Sequence, residues 1–415
     1  MKRTVLVIVI LIALGGAPAQ ASPTEWLLHF NPERAATPDR VFRDHQLIVL
    51  RHIPRIDVWV VAARSGAAPL ESIRSDPAID WIEANGWVRA SDVITPDDTF
   101  YVAQQWPYLN VMRVPEAWAL TTGDSRPVAV IDTGISITHP DLTGKIWSNP
   151  DEIAGNGLDD DANGYVDDAI GWNFVSNTNN VQDNHSHGSH VSGSIAASAN
   201  NGQGIAGLSW AATLMPIKAL GSNAAGTWAN IAAAIIYAAD EGARIINLSL
   251  GDKAVPPQTL RLAVSYAQSK GCLLIAAAGN DGTGQIEYPA ALPGVLAVAS
   301  TELDDTRSDF SNYGADLDVS APGRDIFSAS STGSYYANSG TSMSAAHVSG
   351  LAALIWSMRP DYAALTVAQT ITLTAQDIGS IGWDAQSGWG RIDALAAVRH
   401  AQQGRIYLPV LWLNQ

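Results

Sequence analysis

The sequence predicts an α/β protein with a doubly wound, mainly parallel sheet, preceded by a small α+β unit. Two observations support this prediction. After about residue 100, continuous apolar runs alternate with helical segments, whereas the residues before it show shorter, strand-like stretches. Uninterrupted apolar strands separated by helices are typical of parallel sheets that helices cover on both faces.

The N-terminus has the features of a secretory signal peptide. Lys2 and Arg3 give a basic start, residues 5–14 form an uninterrupted apolar run, and Ala19-Gln20-Ala21 matches a small-residue cleavage site. The run is too short to span a membrane comfortably. We therefore expect a signal peptide over residues 1–21, a secreted, extracellular product, and no membrane attachment after cleavage.

The predicted small unit covers residues 22–95. Strand-like stretches lie at residues 26–30, 46–50, 56–63 and 79–83. A short helix from Pro69 to Arg74 separates the last two. Residues 91–100 then lose all periodicity, which is typical of an exposed linker that proteases cut.

The main domain is predicted over residues 96–400 and repeats one pattern. Apolar runs that fit buried strands lie at residues 128–131, 214–219, 245–250, 273–278 and 295–299. Crossover helices fit at residues 228–240 and 257–270. In such a fold the functional side chains gather at the carboxyl ends of the strands. Residues 401–415 form a short C-terminal tail.

Composition narrows the range of partners. The formal net charge is −16, which argues against a nucleic-acid partner and gives no reason to expect binding to anionic lipid. Cys272 is the single cysteine, so no intrachain disulfide can form. It lies in an apolar run, where a cysteine behaves as a small buried hydrophobic residue.

Four polar residues with complementary chemistry stand at predicted strand or helix ends. Asp132 and Asn280 each follow an apolar strand, and His187 and Ser342 each open a helix. A serine nucleophile needs a base, and the base needs a carboxylate that fixes its tautomer, so Asp132, His187 and Ser342 fit a catalytic triad. The side-chain amide of Asn280 and the backbone N–H of Ser342 are candidate donors to an oxyanion.

These motifs, together with residues 139–142, 247–251 and 388–394, resemble those of the subtilisin-like serine peptidases over roughly residues 100–400. The order Asp, His, Ser is also that family's order. The resemblance implies a monomeric serine endopeptidase that cleaves proteins or peptides. It further implies that residues 22–95 are a propeptide, which inhibits the enzyme and assists its folding.

The resemblance also implies a substrate cleft. In the family, the strand at the place of residues 247–251 lines the cleft and pairs with the peptide backbone. The residues predicted to contact substrate are Ser249, Leu250, Gly251, Ala278 and Gly279.

Glu287 is a candidate specificity residue. It precedes a Tyr-Pro-Ala triplet that, in the family, follows the floor of the pocket for the side chain before the scissile bond. A carboxylate there favours Lys or Arg through a charge-assisted hydrogen bond. The alternative is that Glu287 turns to solvent, because this loop is shorter than the family's usual one.

An acidic segment predicts a calcium site. Oxygen-bearing residues at alternate positions, with a Gly at the turn, match the front of a calcium-binding loop. They are Asp159, Asp161, Asn163, Tyr165 and Asp167. Position twelve of that loop, usually Glu, is Ile170, and Asp168 is the candidate substitute. The alternative is a solvated acidic loop.

A second calcium ion is implied by the resemblance alone. In the family it commonly binds an aspartate at the place of Asp141 and an N-terminal glutamine, which is Gln104 or Gln105 in this chain.

Two other functions remain open at this point. His185, His187 and His190 have a spacing that recurs in zinc hydrolases, and a zinc enzyme would not need Ser342. A peptidase domain that has lost catalysis and binds peptides by strand addition is the second alternative. The complete set of Asp132, His187, Asn280 and Ser342 argues against it.

Overall fold

A computed structural model describes residues 25–31, 38–63, 70–85 and 93–404. The chain divides between residues 90 and 91 into two compact units. The predicted signal peptide and residues 405–415 of the predicted tail lie outside the described residues. Within the described part of the chain, no helix combines the length and apolarity needed to cross a bilayer.

The N-terminal unit is a small antiparallel sheet with short helices. Its elements are β1 (Glu25–Phe30), α1 (Pro38–Asp44), β2 (Leu47–Ile53), β3 (Val58–Ala63), α2 (Leu70–Arg74) and β4 (Ile79–Ala84). The strand order is β2-β3-β1-β4. Leu28, Val41 and Val61 are fully buried in its core. The helix α1 was not predicted from the sequence, because only two adjacent residues, Val41 and Phe42, mark its buried face.

The second unit contains the predicted parallel sheet. Its strands are β5 (Pro127–Asp132), β6 (Trp172–Asn173), β7 (Thr213–Lys218), β8 (Ile245–Leu248), β9 (Leu273–Ala277), β10 (Val295–Thr301), β11 (Val319–Pro322), β12 (Ile326–Ala329) and β13 (Tyr335–Asn338). Seven of them form one sheet in the order β11-β10-β9-β8-β5-β7-β6, in which every neighbouring pair is parallel. The remaining two, β12 and β13, form an antiparallel pair. The predicted fold class is confirmed.

Helices cover both faces of this sheet. They are α3 (Trp106–Val111), α4 (Val114–Trp118), α5 (His187–Ala196), α6 (Trp228–Asp240), α7 (Gln258–Ser269), α8 (Thr341–Met358), α9 (Ala364–Leu373) and α10 (Ala394–Gln403), with a short π-helix at Tyr101–Gln105 and a 3₁₀ turn at Thr143–Lys145. Side chains alternate along a strand, so β5 serves both layers. Val128 and Val130 pack with α5 and α8, whereas Ala129 and Ile131 pack with α6.

The strand order places the functional segments together. In the sheet, β5 has β7 on one side and β8 on the other, so the direction in which later strands are added reverses beside β5. Ligands bind outside the carboxyl ends of strands at such a switch point. Asp132 ends β5, Ser249 follows β8, and Ala278 follows β9. The strands β8 and β9 end before the predicted limits of 250 and 278, which leaves these residues outside the strands.

The predicted linker over residues 91–100 is only partly exposed, so that prediction is wrong at its C-terminal end. Pro96 and Asp98 are buried in the second unit. The Asp98 Oδ2 atom accepts a hydrogen bond from the Asn200 backbone N–H at 2.7 Å.

Candidate active site

Asp132 and His187 form a hydrogen-bonded pair. Asp132 is fully buried, and its Oδ1 atom lies 2.8 Å from Nδ1 of His187 and 2.7 Å from the backbone N of Thr133. A carboxylate that accepts from Nδ1 fixes the imidazole tautomer, so Nε2 is left as the proton acceptor.

Two opposing effects set the pKa of His187. Burial lowers it, but the adjacent Asp132 carboxylate favours the imidazolium by its charge and hydrogen bond, and Asp183 adds to this effect. The balance raises the pKa of His187 above its ordinary value. A base whose pKa lies near the operating pH takes up and returns a proton efficiently.

Ser342 is the second residue of α8 and is 7% exposed. Its Oγ atom donates to the carbonyl O of Ser249 at 3.2 Å, and the Ser249 hydroxyl donates to the carbonyl O of Ser342 at 2.9 Å. Ser249 and His187 line the same cavity, of about 320 Å³. His187 therefore lines the same cavity as Ser249, the residue whose carbonyl O accepts the hydrogen bond from Ser342 Oγ.

Asn280 is held by the residue before the candidate nucleophile. The Oδ1 atom of Asn280 accepts from the backbone N of Thr341 at 2.8 Å and from its hydroxyl at 3.0 Å. Because the amide oxygen already accepts these two hydrogen bonds, the NH₂ group at Nδ2 is the part of the side chain that can donate to a ligand. Asn280 is exposed, so this donor is accessible to a ligand.

The predicted substrate residues lie around this cleft. Ser249, Leu250 and Gly251 line the cavity directly. Ala278 and Gly279 are buried beside it, where the Gly279 N–H donates to the Thr341 hydroxyl at 3.1 Å.

The cleft also contains residues that the sequence analysis did not select. They are Leu220, Ala224, Ala225, Gly226, Trp228, Ile231 and Asp252. They come from the segment between β7 and α6, from the first four residues of α6, and from the residue after Gly251. Leu220 could have been selected from the sequence, because it lies just beyond the carboxyl end of β7. Functional side chains gather at that edge of the sheet.

Glu287 lies against the two glycines of the cleft walls. A Cβ atom at Gly251 would lie 2.6 Å from Oε2 of Glu287, and one at Gly279 would lie 2.6 Å from Cδ. The Glu287 carboxyl group therefore occupies the space that a side chain at Gly251 or Gly279 would need. Burial raises the pKa of Glu287 to about 7, and Asp281 adds to this shift through a hydrogen bond and its charge. Asp281 is itself paired with Lys253 at 2.8 Å.

The three histidines of the zinc alternative have different surroundings. His187 Nδ1 points to Asp132, His190 Nε2 lies 2.9 Å from the carbonyl O of Ile326, and His185 is exposed. Burial lowers the pKa of His190 to about 3. Among the described residues these histidines do not form a convergent group of metal ligands.

The acidic loop brings together a set of carboxylates that differs from the predicted one. Oxygens of Glu152, Asp161 and Asp168 all lie within 4.8 Å of one another. Burial, joined by the charge of Asp161, raises the pKa of Asp168. Glu152 was missed because it precedes the recognised loop pattern by seven positions.

The other predicted ligands of this loop have different contacts. Asp159 accepts from the backbone N of Asn163 and Gly164, and Asp167 from those of Asn156 and Gly157. The Asn163 amide donates to Asp161 and Asp168 at 3.0 Å. The Tyr165 ring packs against three other aromatic side chains, those of Trp172, Phe174 and Tyr237.

Asp141 lies in a second acidic site with Asp98. Asp141 is fully buried and accepts from the backbone N of Ile205 at 2.9 Å. Asp98 is 4% exposed, and its Oδ1 atom has no hydrogen-bond partner among the described residues. Burial raises the pKa of both carboxyl groups, and the charge of Asp141 contributes at Asp98. Gln104 is exposed, and the Gln105 amide bonds both backbone groups of Ala206.

Comparisons with known proteins agree with this arrangement. Residues 123–390 match the family model described as the subtilase family. The chain is 37% identical to thermitase of Thermoactinomyces vulgaris over 308 residues, which covers 74% of this chain and all of that protein. It is 38% identical to subtilisin Savinase of Lederbergia lenta, over 67% of this chain and 92% of that protein.

A solved structure shows the same relationship. A protease from Pseudoalteromonas arctica PAMC 21717 superimposes with a TM-score of 0.63 at 33% identity, over 74% of this chain and all of that one. With a family match over more than half of its length and relatives at this level of identity, the chain belongs to the subtilase family of serine endopeptidases.

Proposed function

We propose that this protein is a secreted endopeptidase that hydrolyses peptide bonds through an acyl-enzyme on Ser342. The hydrogen bond of 2.8 Å between His187 Nδ1 and the buried Asp132 carboxylate is the observation that carries the proposal. It leaves Nε2 free to act as a base, and His187 lines the cavity that also includes Ser249, the hydrogen-bond partner of Ser342.

Each proposed step uses a named group. The Ser342 hydroxyl gives up its hydrogen bond to the carbonyl O of Ser249 and transfers its proton to His187 Nε2. Its Oγ atom attacks the substrate carbonyl carbon. The Asp132 carboxylate stabilises the imidazolium that forms. Asn280 Nδ2 and the Ser342 backbone N–H donate to the oxyanion. His187 then protonates the leaving amine, and water releases the acyl group by the same steps in reverse.

The proposal extends to the N-terminal segments. Residues 1–21 act as the signal peptide, and residues 22–95 act as a propeptide that inhibits the enzyme until it is removed. The mature domain, residues 96–400, works outside the cell as a monomer. The separate hydrophobic core of the N-terminal unit supports a role as an independent folding unit.

A covalent inhibitor directed at active serines tests the assignment. It is expected to label Ser342 and to stop peptide hydrolysis. The zinc alternative predicts activity that resists this inhibitor and is lost to a zinc-selective chelator. The alternative without catalysis predicts peptide binding with neither labelling nor hydrolysis.

We further propose that calcium binds at the two acidic sites as a structural ion. Carboxylate oxygens are the ligands that Ca²⁺ prefers. Glu152, Asp161 and Asp168 offer one set, and the unpartnered Oδ1 of Asp98 beside Asp141 offers the other. The raised pKa values of Asp168 and Asp98 reflect buried negative charge that a bound cation would offset.

Removal of calcium is expected to lower the melting temperature of the mature enzyme by several degrees, because an ion that binds the folded state stabilises it. Asp161→Ala is expected to reduce this dependence, whereas Asp151→Ala, in the same loop but outside the cluster, serves as its control. Calorimetry with calcium and with chelator measures the shift. Identical melting curves under both conditions would contradict the calcium proposal.

Glu287 is proposed to read the side chain that precedes the scissile bond. Its carboxylate attracts Lys or Arg only when ionised, and its pKa is raised to about 7 by burial and by Asp281. The ratio of Lys to Phe cleavage is therefore expected to rise as the pH increases through about 7. Glu287→Gln is expected to lower that ratio about tenfold or more at alkaline pH.

Rates on a peptide series that varies only this residue measure the effect at pH values on both sides of neutrality. Glu302→Gln is the matched control, because Glu302 pairs with Arg324 outside the cavity lining. If Glu287→Gln leaves the ratio unchanged, Glu287 does not select the substrate.

A further inference from the structure

A buried lysine lies behind the proposed triad. Lys218 is the last residue of β7 and is only 4% exposed. Its Nζ atom donates to the carbonyl O of Thr133 and, at 2.9 Å, to Oδ1 of Asn184. Thr133 is the neighbour of Asp132, and Asn184 lies three residues before His187. One ammonium group therefore joins the two segments that carry the carboxylate and the base.

Two buried carboxylates act on this ammonium by their charge, and Thr133, which accepts from Lys218, links to both of them. Asp132 is fully buried, and Asp183 is 3% exposed. Asp183 accepts from the hydroxyls of Ser189 at 2.6 Å and Thr133 at 2.9 Å. Burial lowers the pKa of Lys218, while the charges of Asp183 and Asp132 act in the opposite direction.

The charges of this cluster balance only in one state of the reaction. Before catalysis the two carboxylates face one cation, Lys218. When His187 accepts the proton from the nucleophile, two carboxylates face two cations. If a neutral residue replaced Lys218, the net charge of the cluster would be more negative by one unit. This would favour a protonated His187 already in the resting enzyme.

We infer that Lys218 is a positioning residue that links the Asp132 and His187 segments and, by its charge, keeps His187 unprotonated at a lower pH. The inference rests on the proposed function, because it concerns His187 as the base. It assigns to Lys218 no contact with substrate.

Other groups near His187 do not supply this charge. Burial lowers the pKa of His190 to about 3, so it is neutral at working pH. Burial, together with the charges of Asp183 and Asp132, raises the pKa of Tyr336 to about 12, so its hydroxyl is neutral as well. His185 is exposed, with 6.4 Å between its ring centroid and that of His187, so solvent weakens any electrostatic effect between the two rings.

The pH dependence of kcat/KM tests the inference, because its acidic limb reports ionisation of the base in the free enzyme. Lys218→Met removes the charge and the donor, and Lys218→Gln removes the charge but keeps a donor. Both are expected to move the acidic limb upward by about 0.5–1 pH unit, the size expected for one charge in a poorly solvated site. Two variants are used so that a folding defect in one leaves the other measurable.

Lys145→Met is the matched control. Lys145 is also buried, at 8% exposed, and its Nζ donates to a backbone carbonyl, that of Trp210. This variant is expected to keep the acidic limb of the wild-type enzyme even if its melting temperature falls. A limb that moves in both Lys218 variants and not in Lys145→Met supports the inference.

An unmoved limb in either folded Lys218 variant overturns it. That result differs from a failure of the proposed function, in which the wild-type enzyme itself would show no serine-dependent hydrolysis. Titration of the His187 imidazole by NMR in a Ser342→Ala background gives the same comparison without relying on turnover. Equal imidazole pKa values with and without Lys218→Met would also overturn the inference.

Discussion

Ser342→Ala is expected to abolish proteolysis. Alanine leaves the backbone of α8 in place and removes only Oγ, the atom that would form the acyl-enzyme. Removing a serine nucleophile from a subtilisin lowers kcat on the order of 10⁶-fold, and a loss of that order is expected here. Hydrolysis of a chromogenic peptide measures it.

Ser344→Ala is the appropriate control for that variant. Ser344 lies on the same helix, and its hydroxyl donates to the carbonyl O of Ala321 at 2.9 Å, away from the cleft. This control is expected to retain activity. If the enzyme removes its own propeptide, Ser342→Ala should also keep residues 22 to about 95, which mass spectrometry of the secreted protein would reveal. Full activity of Ser342→Ala would rule out the nucleophile assignment.

Asn280→Ala is expected to lower kcat by roughly 10²–10³-fold with little change in KM, as removal of this oxyanion donor does in subtilisin. The two hydrogen bonds from Thr341 to Asn280 Oδ1 hold the amide before substrate arrives. A donor that needs no reorganisation contributes to the transition state and not to ground-state binding.

A graded variant makes this assignment sharper. Thr341→Val removes the hydroxyl bond of 3.0 Å to Asn280 but keeps the backbone bond of 2.8 Å. It is expected to reduce kcat by less than Asn280→Ala does. A rise in KM as large as the fall in kcat/KM for Asn280→Ala would instead assign Asn280 to substrate binding.

The sequence indicated the main sheet well because its strands are apolar throughout. The predicted helix over residues 228–240 coincides with α6, and Asp132 lies at the strand end where the pattern placed it. Boundaries were less accurate where the chain leaves the sheet. The predicted runs extended to residues 250 and 278 because Leu250 and Ala278 are also apolar, whereas the strands themselves end at Leu248 and Ala277.

Groups that assemble from distant segments were not predictable in the same way. Asp98 was placed in an exposed linker, yet it is buried beside Asp141 because residues 200–204 bond to this segment. Lys218 lies inside the apolar run predicted as a strand over residues 214–219, and only the pairing of β5 with β7 brings it close to Thr133. Hydrophobic periodicity reports which face of an element is buried, but not which side chains meet there.

The parallel sheet also has a consequence for how quickly the chain reaches its fold. Val128 of β5 pairs with Ile245 of β8, 117 positions further along the chain. Contacts of such high order require large loops to close, with their loss of chain entropy, before any strand pairing compensates. The antiparallel β2–β3 pair of the N-terminal unit closes a loop of only a few residues. We therefore expect the loss of chain entropy on loop closure to slow the folding of the main domain. A segment that lowers only this barrier would increase the folding rate and leave the free energy of unfolding unchanged.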